Sequence, residues 1–246
     1  YFLLLQLHGS LLAEQKERPP NVVILMADDL GYHDLSPYGH PKIKTPVLER
    51  LAKEGVKLTS FYAGATVCTP SRMALLTGAY PTRLGWSKGV IGHIMKKGQG
   101  LSPDALTMPE IFKAAGYRTA MFGKWHLGDE PPLRPHRQGF ETTFYLNKSN
   151  NQTKELWRDD EVIENPFTNR LLSERFTNEA IKFIESNRDH PFFLYLPHTA
   201  PHFPLEAHPD WKGKSKFGVF GDVVEELDHR IGQILNALKN AELEKN

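Results

Sequence analysis

Two stretches of this chain are apolar without alternation, Val22–Met26 (VVILM) and Phe192–Leu196 (FFLYL). A strand with one face in water alternates apolar and polar residues; one that does not must be covered on both faces. That single feature points away from an open antiparallel sheet and towards strands sandwiched between helices. Two further segments read as strands, Val56–Ala63 (VKLTSFYA) and Tyr117–Phe122 (YRTAMF). Between them lie helical patterns. Thr45-Pro46 reads as a cap and first helical residue for TPVLERLAKEG, with Gly55 as its stop. Thr107 and Glu110 have capping-box spacing ahead of IFKAAG, which Gly116 ends. LLSERFTNEAIKFIESN places Phe176, Ala180, Phe183 and Ile184 on one helical face. Near the C-terminus, Val224, Leu227, Ile231, Ile234, Leu235 and Leu238 form another apolar stripe. Strand and helix alternate, so the expected class is α/β, a mostly parallel sheet with helices on both faces. The polar, aromatic section from Pro131 to Asn169 has weak periodicity and reads as long loops or a small insertion. No internal repeat is visible.

Composition sets outer limits. The 246 residues suit one large α/β domain or two small ones, and 40% hydrophobic residues can bury a real core. A formal net charge of +1 makes no electrostatic case for nucleic acid as the main partner. One cysteine excludes an internal disulfide framework. Residues 1–18 begin with YFLLLQLHGSLLAEQ, which reads as the remnant of a secretory signal peptide or as a frayed terminus. No other segment is long and apolar enough to cross a membrane. Asn147-Lys148-Ser149 and Asn151-Gln152-Thr153 are glycosylation triplets of a kind that arises often by chance.

In parallel sheets of this class, ligands sit beyond the carboxyl ends of the strands. That rule selects the polar residues just past each proposed strand: Asp28-Asp29, Cys68, Lys124-Trp125-His126, and His198 to His202. Adjacent carboxylates suit a hard divalent cation, and equally a turn or helix cap. Cys68 precedes Thr69-Pro70, so it stands at a helix start where free N–H groups attract an anion. Arg72 adds a positive fork suited to sulfate or phosphate. The competing reading is a buried structural thiol. A Cys-x5-Arg phosphate loop does not fit, because only three residues separate Cys68 from Arg72. Lys124 and His126 would point the same way in extended backbone, which suits oxyanion binding and proton transfer, or an ordinary polar loop. His33, His93, His136 and His229 have no comparable setting.

These residues carry a resemblance. CTPSRMALLTG (68–78) resembles the first signature of the sulfatases, and GYRTAMFGKWHLG (116–128) the second. NVVILMADDLGY is similar to their metal-binding opening strand, and PHTAPHFP to a histidine loop further along. The matches run in family order from Asn21 to Pro204. The resemblance implies an alkaline-phosphatase-like fold and hydrolysis of aryl or carbohydrate sulfate esters. It implies that a separate maturation enzyme oxidises Cys68 to Cα-formylglycine, whose hydrate attacks sulfur and later collapses to expel sulfate. Asp28, Asp29 and the modified Cys68 would ligate calcium or magnesium. Arg72 would steady the nucleophile, Lys124 would bind sulfate oxygen, His126 would act as base in the second step, and His202 rather than His198 would face the leaving oxygen. Pro70 and Ser71 would belong to the maturation enzyme's recognition sequence. A secreted, periplasmic or lysosomal location follows from the signal remnant.

The resemblance also implies a later strand ending in Asp-Asn-Gly, a lysine beyond it, and a smaller C-terminal domain. No Asp-Asn-Gly occurs in these 246 residues. Residues 19–246 therefore read as the N-terminal part of a catalytic domain, incomplete at the C-terminus, and made alone they are expected to bind metal weakly, aggregate and turn over little. Two alternatives share the pattern: a phosphonate or phosphodiester hydrolase of the same superfamily, and an inactive remnant that keeps the fold.

Overall fold

A computed structural model describes residues 18–87, 89–92 and 98–245. The signal-remnant segment and His93 lie outside them. The sheet has six strands: β1 (Val22–Met26), β2 (Arg118–Lys124), β3 (Thr142–Leu146), β4 (Leu156–Arg158), β5 (Glu161–Glu164) and β6 (Phe192–Pro197). Their spatial order is β1-β6-β2-β3-β4-β5. The first four in that order are parallel; β4 and β5 run antiparallel as a short meander at one edge. At the other edge lies β1.

Of the two unbroken apolar runs, FFLYL occupies the interior, whereas VVILM forms the edge strand β1 and is half-buried throughout. Phe192 to Leu196 in β6 are each at most 1% exposed. Successive side chains point to opposite faces. Ala120, Phe122, Phe144, Leu194 and Leu196 meet α4 (Leu172–Ser186) and α5 (Gly218–Asn240) through Phe176, Ala180, Phe183 and Ile234. Met121, Tyr145, Phe193 and Tyr195 face the other way, towards α2 (Cys68–Thr77) and α3 (Met108–Ala114), with Met73, Leu76, Phe112 and Phe140. The two-sided cover anticipated from FFLYL is present; VVILM packs against both layers but, as an edge strand, is only partly buried.

Three expectations need correction. VKLTSFYA forms no strand: Val56 is 86% exposed and Tyr62 84%. Its alternation lacks a paired neighbour, and Tyr38 and Lys57 instead hold it through the carbonyls of Leu58 and Pro37. The section from Pro131 to Asn169, read as loops, supplies β3, β4 and β5. TTFYL carried a strand signal, but the sequons and charges around it hid the pattern. Thr45 precedes α1 (Pro46–Glu54) as expected, yet its hydroxyl bonds Ser36 rather than the helix. The first-turn N–H groups of Val47 and Leu48 donate to the Asp228 carboxylate on α5, at 3.1 and 2.9 Å. The cap that a local pattern promised is supplied from 180 residues away. At α3 the local rule suffices: Glu110 accepts the Thr107 N–H at 2.8 Å.

Candidate active site

α2 begins where extended Val67 hands over to Cys68, and it ends at Gly78, whose φ of 65° is the left-handed conformation glycine adopts freely. Its first turn is bolted to the end of β2. The Thr69 hydroxyl donates to the His126 carbonyl at 3.0 Å and accepts the Ile91 N–H at 3.1 Å. Arg72, wholly buried, donates Nη1 to the Lys124 carbonyl at 2.8 Å. Cys68 is half-buried and lines a cavity of about 390 Å³ together with Asp28, Asp29 and Ser71.

Asp28 and Asp29, adjacent in sequence, have opposite environments. Asp28 is 4% exposed, and its carboxylate lies between Lys124 Nζ at 2.5 Å and Arg72 Nη2 at 3.4 Å. Burial works against that charge, but the Arg72 and Lys124 cations outweigh it and hold the carboxyl below its ordinary pKa. Asp29 turns outward, with its side chain 65% exposed and φ at +63°. A non-glycine residue in that region stores strain of about 1–3 kcal/mol, a feature that clusters at functional sites. Both carboxylates line the same cavity, so it has hard oxygen donors on one wall.

Lys124 is buried, and Nζ also donates to Ser149 Oγ at 3.0 Å. Burial and neighbouring Arg72 lower its pKa against the pull of Asp28. For Arg72 the balance is reversed: burial opposes the charge, while Tyr195, Asp28 and Cys68 raise its pKa. The expected alternation of Lys124 and His126 does not occur, because the backbone leaves extension at His126, with φ at +59°. The His126 ring instead turns to the Ile91 carbonyl, Nε2 at 2.8 Å. A carbonyl only accepts, so Nε2 carries the proton and Nδ1 is a buried acceptor. Among the described residues Nδ1 has no partner, nor do Arg72 Nε and Nη2 find an aligned hydrogen bond. Burial and the Lys124 cation push the His126 pKa down to about 3, so the ring is neutral at physiological pH.

Of the two histidines past β6, only His202 reaches this cluster. It lies 3.3 Å from Ser149 Oγ and 3.7 Å from Asp29 through Nε2, and Nδ1 donates to the Phe203 carbonyl at 2.6 Å. His198 is buried on the α4/α5 side, edge-on to Phe176, and burial with nearby Arg230 lowers its pKa to about 4. Cys68, Arg72, Lys124, His126, His202, Asp28 and Asp29 are thus gathered at one end of the sheet. Cys68 arrives from a helix start rather than a strand exit.

The fourth strand exit is that of β3, and its polar residues were missed. Ser149 is 1% exposed and stands between Lys124 and His202. Its triplet reads as a glycosylation site, but Asn147 is only 6% exposed. Had TTFYL been recognised as a strand, the same exit rule would have selected NKSN.

A family model described as Sulfatase matches residues 20–246. Mouse N-acetylgalactosamine-6-sulfatase is 36% identical over 261 residues, covering 96% of this chain and 50% of the relative. Human arylsulfatase A is 36% identical over 250 residues, covering 90% and 49%. A solved structure from Bacteroides thetaiotaomicron, described in terms of its metabolism of multiple glycosaminoglycans, aligns with a TM-score of 0.87 at 29% identity. It covers 93% of this chain and 61% of that one. The chain spans about half the length of the curated relatives it matches.

Proposed function

This chain belongs to the sulfatase family, and from that premise we propose that the whole protein hydrolyses aryl or carbohydrate sulfate esters at the cluster around Cys68. The observation that carries the reading is that two buried polar atoms without a partner among the described residues, Arg72 Nε and His126 Nδ1, belong to the cluster around Asp28, whose carboxylate walls a cavity together with Asp29 and the residue-68 side chain. Unpaired buried donors and acceptors are costly and call for an oxygen-rich partner.

Conversion of Cys68 to Cα-formylglycine by a maturation enzyme would supply the hydrated aldehyde that serves as nucleophile. Asp28 and Asp29 fit calcium or magnesium in donor type, and the ion would polarise a sulfate oxygen when bound. The two carboxylates furnish only part of a six-oxygen shell. Among the described residues no group of three or more His, Cys, Asp or Glu side chains is close enough to hold a metal. The protein's own side chains divide the remaining work. Arg72 and Lys124 present positive charge to sulfate from a dry wall, where it acts most strongly. Neutral His126 offers Nδ1 as a hydrogen-bond acceptor to the residue-68 hydroxyl. Burial is the main cause of the ring's lowered pKa and the Lys124 charge the next; an anionic ester would offset the latter, making proton uptake easier. Ser149 orients Lys124, and His202 faces the leaving oxygen.

Peptide mass spectrometry across Val67–Arg72, on protein co-produced with a maturation enzyme, tests the nucleophile. An aldehyde is expected, and an unmodified thiol would count against the reading. Parallel assays on 4-nitrophenyl sulfate and an aryl phosphodiester separate sulfate-ester chemistry from the phosphodiester alternative. No helix among the described residues is long and apolar enough to cross a membrane. A secreted, periplasmic or lysosomal location remains part of the proposal.

A further inference from the structure

The segment bearing His202 has no regular secondary structure, yet His202 is held between two tethers. On one side the Asp28 N–H donates to the Ala200 carbonyl at 3.0 Å. On the other, Asn169 Nδ2 donates to the Pro204 carbonyl at 3.2 Å. Asn169 sits in the 3-10 turn Asn169–Leu171, just ahead of α4 and 35 residues from Pro204. Its own orientation is set from a third segment: Asn150 Nδ2 donates to Asn169 Oδ1 at 2.9 Å, and Asn150 is 3% exposed. The polarity of this chain is forced. Pro204 can only accept, so Asn169 must turn its NH2 group towards it and its oxygen towards Asn150. Asn150 in turn follows Ser149, the residue that touches both Lys124 and His202.

We propose that Asn169 is a positioning residue for the His202 ring, coupling the β3 exit to the β6 exit through paired side-chain amides. The inference rests on the sulfate-ester reading, in which His202 faces the leaving oxygen. Loss of the tether lets the Thr199–Pro204 turn drift while Lys124, Arg72 and residue 68 stay in place. The cost then falls on the bond to the leaving group rather than on sulfate binding.

The test uses the whole protein, matured and metal-loaded, with two small esters that differ in leaving-group acidity: 4-nitrophenyl sulfate and phenyl sulfate. Asn169→Asp keeps the acceptor for Asn150 and removes the donor to Pro204. Its kcat on phenyl sulfate is expected to fall roughly 10- to 100-fold, with a loss several-fold smaller on 4-nitrophenyl sulfate and KM nearly unchanged. In a His202→Ala background, the same substitution should add nothing, since its effect passes through the missing ring. Equal losses on both esters, or a full additional loss in the His202→Ala background, would overturn the proposal. Should Asn169→Asp not fold, Asn150→Ala removes the orienting partner and faces the same two criteria. Wild-type protein that turns over neither sulfate would defeat the underlying reading instead, a result distinct from either pattern.

Discussion

The exits of β2 and β6 both deliver a histidine to the same cluster, by different physical means. At β2, Lys124, Trp125 and His126 are all at most 1% exposed, and backbone carbonyls of that turn are fastened directly to α2. At β6, His202 keeps 14% of its side chain exposed and sits in a turn held by a few backbone bonds, from Asp28 to Ala200 and from His202 to Thr199, and by the Asn169 amide. The first exit is part of the core, so disturbing its chemistry disturbs the fold. The second is an attachment to a finished fold, and there activity can be lost while stability is kept.

The largest expected effect strikes both exits at once. Gly123, one residue before Lys124, has φ at +143°, and a Cβ there would lie 2.1 Å from the Pro197 carbonyl at the end of β6. Gly123→Ala should cost more than about 4 kcal/mol, through strain and the separation of the two strand ends. Urea unfolding of the variant checks it, and a loss under about 1 kcal/mol would mean the exits need no close contact. Next come single truncations that separate the exits. Lys124→Ala leaves Asp28 buried with half its compensation, and should cost about 3–5 kcal/mol. His202→Ala should cost about 1 kcal/mol or less while reducing kcat by roughly 100-fold or more. Comparable unfolding midpoints for the two variants would erase the distinction.

Acid sharpens the comparison further. His198 has a folded pKa near 4, below the ordinary histidine value. The unfolded chain therefore binds that proton first, and the folded state loses stability as pH falls from about 6.5 towards 4. The loss from this one group is on the order of 3 kcal/mol by pH 4. His198→Phe should remove that contribution from the stability–pH curve, leaving the loss that His126, also held far below its ordinary value by burial, adds over the same range. Asp28, depressed below its ordinary value, contributes a separate loss only at lower pH, as it takes up its proton. A small effect on stability alone belongs to Thr69→Val, which keeps the shape but removes the hydroxyl joining the His126 carbonyl to the Ile91 N–H. A cost of about 1–2 kcal/mol is expected, read from the thermal midpoint.

The contrast between the exits also explains what was readable beforehand. β1, β2, β6 and the five α-helices among the described residues follow from patterns of consecutive residues, because burial on both faces leaves a run such as FFLYL no polar positions. Asp28, Cys68, Arg72, Lys124 and His126 could be nominated because each lies within a few residues of such an element. Ser149 was legible only through TTFYL, a strand signal surrounded by polar residues. Asn169 had no local signal at all: its partners lie 19 residues earlier and 35 residues later, and an asparagine pair carries no periodicity. VKLTSFYA failed in the opposite sense, since alternation cannot make a strand without a neighbour to accept its hydrogen bonds.

Consecutive residues alone determined which segments are apolar, where helices start and stop, and which polar residues stand at their ends; these depend on backbone geometry and hydration within a few residues. Tertiary structure decided which of two adjacent aspartates is buried between cations, which of two histidines meets the site, that Asp228 caps a helix 180 residues earlier, and that an amide pair holds His202. Each of those outcomes is set by a through-space distance between segments far apart in the chain, and no local pattern encodes such a distance.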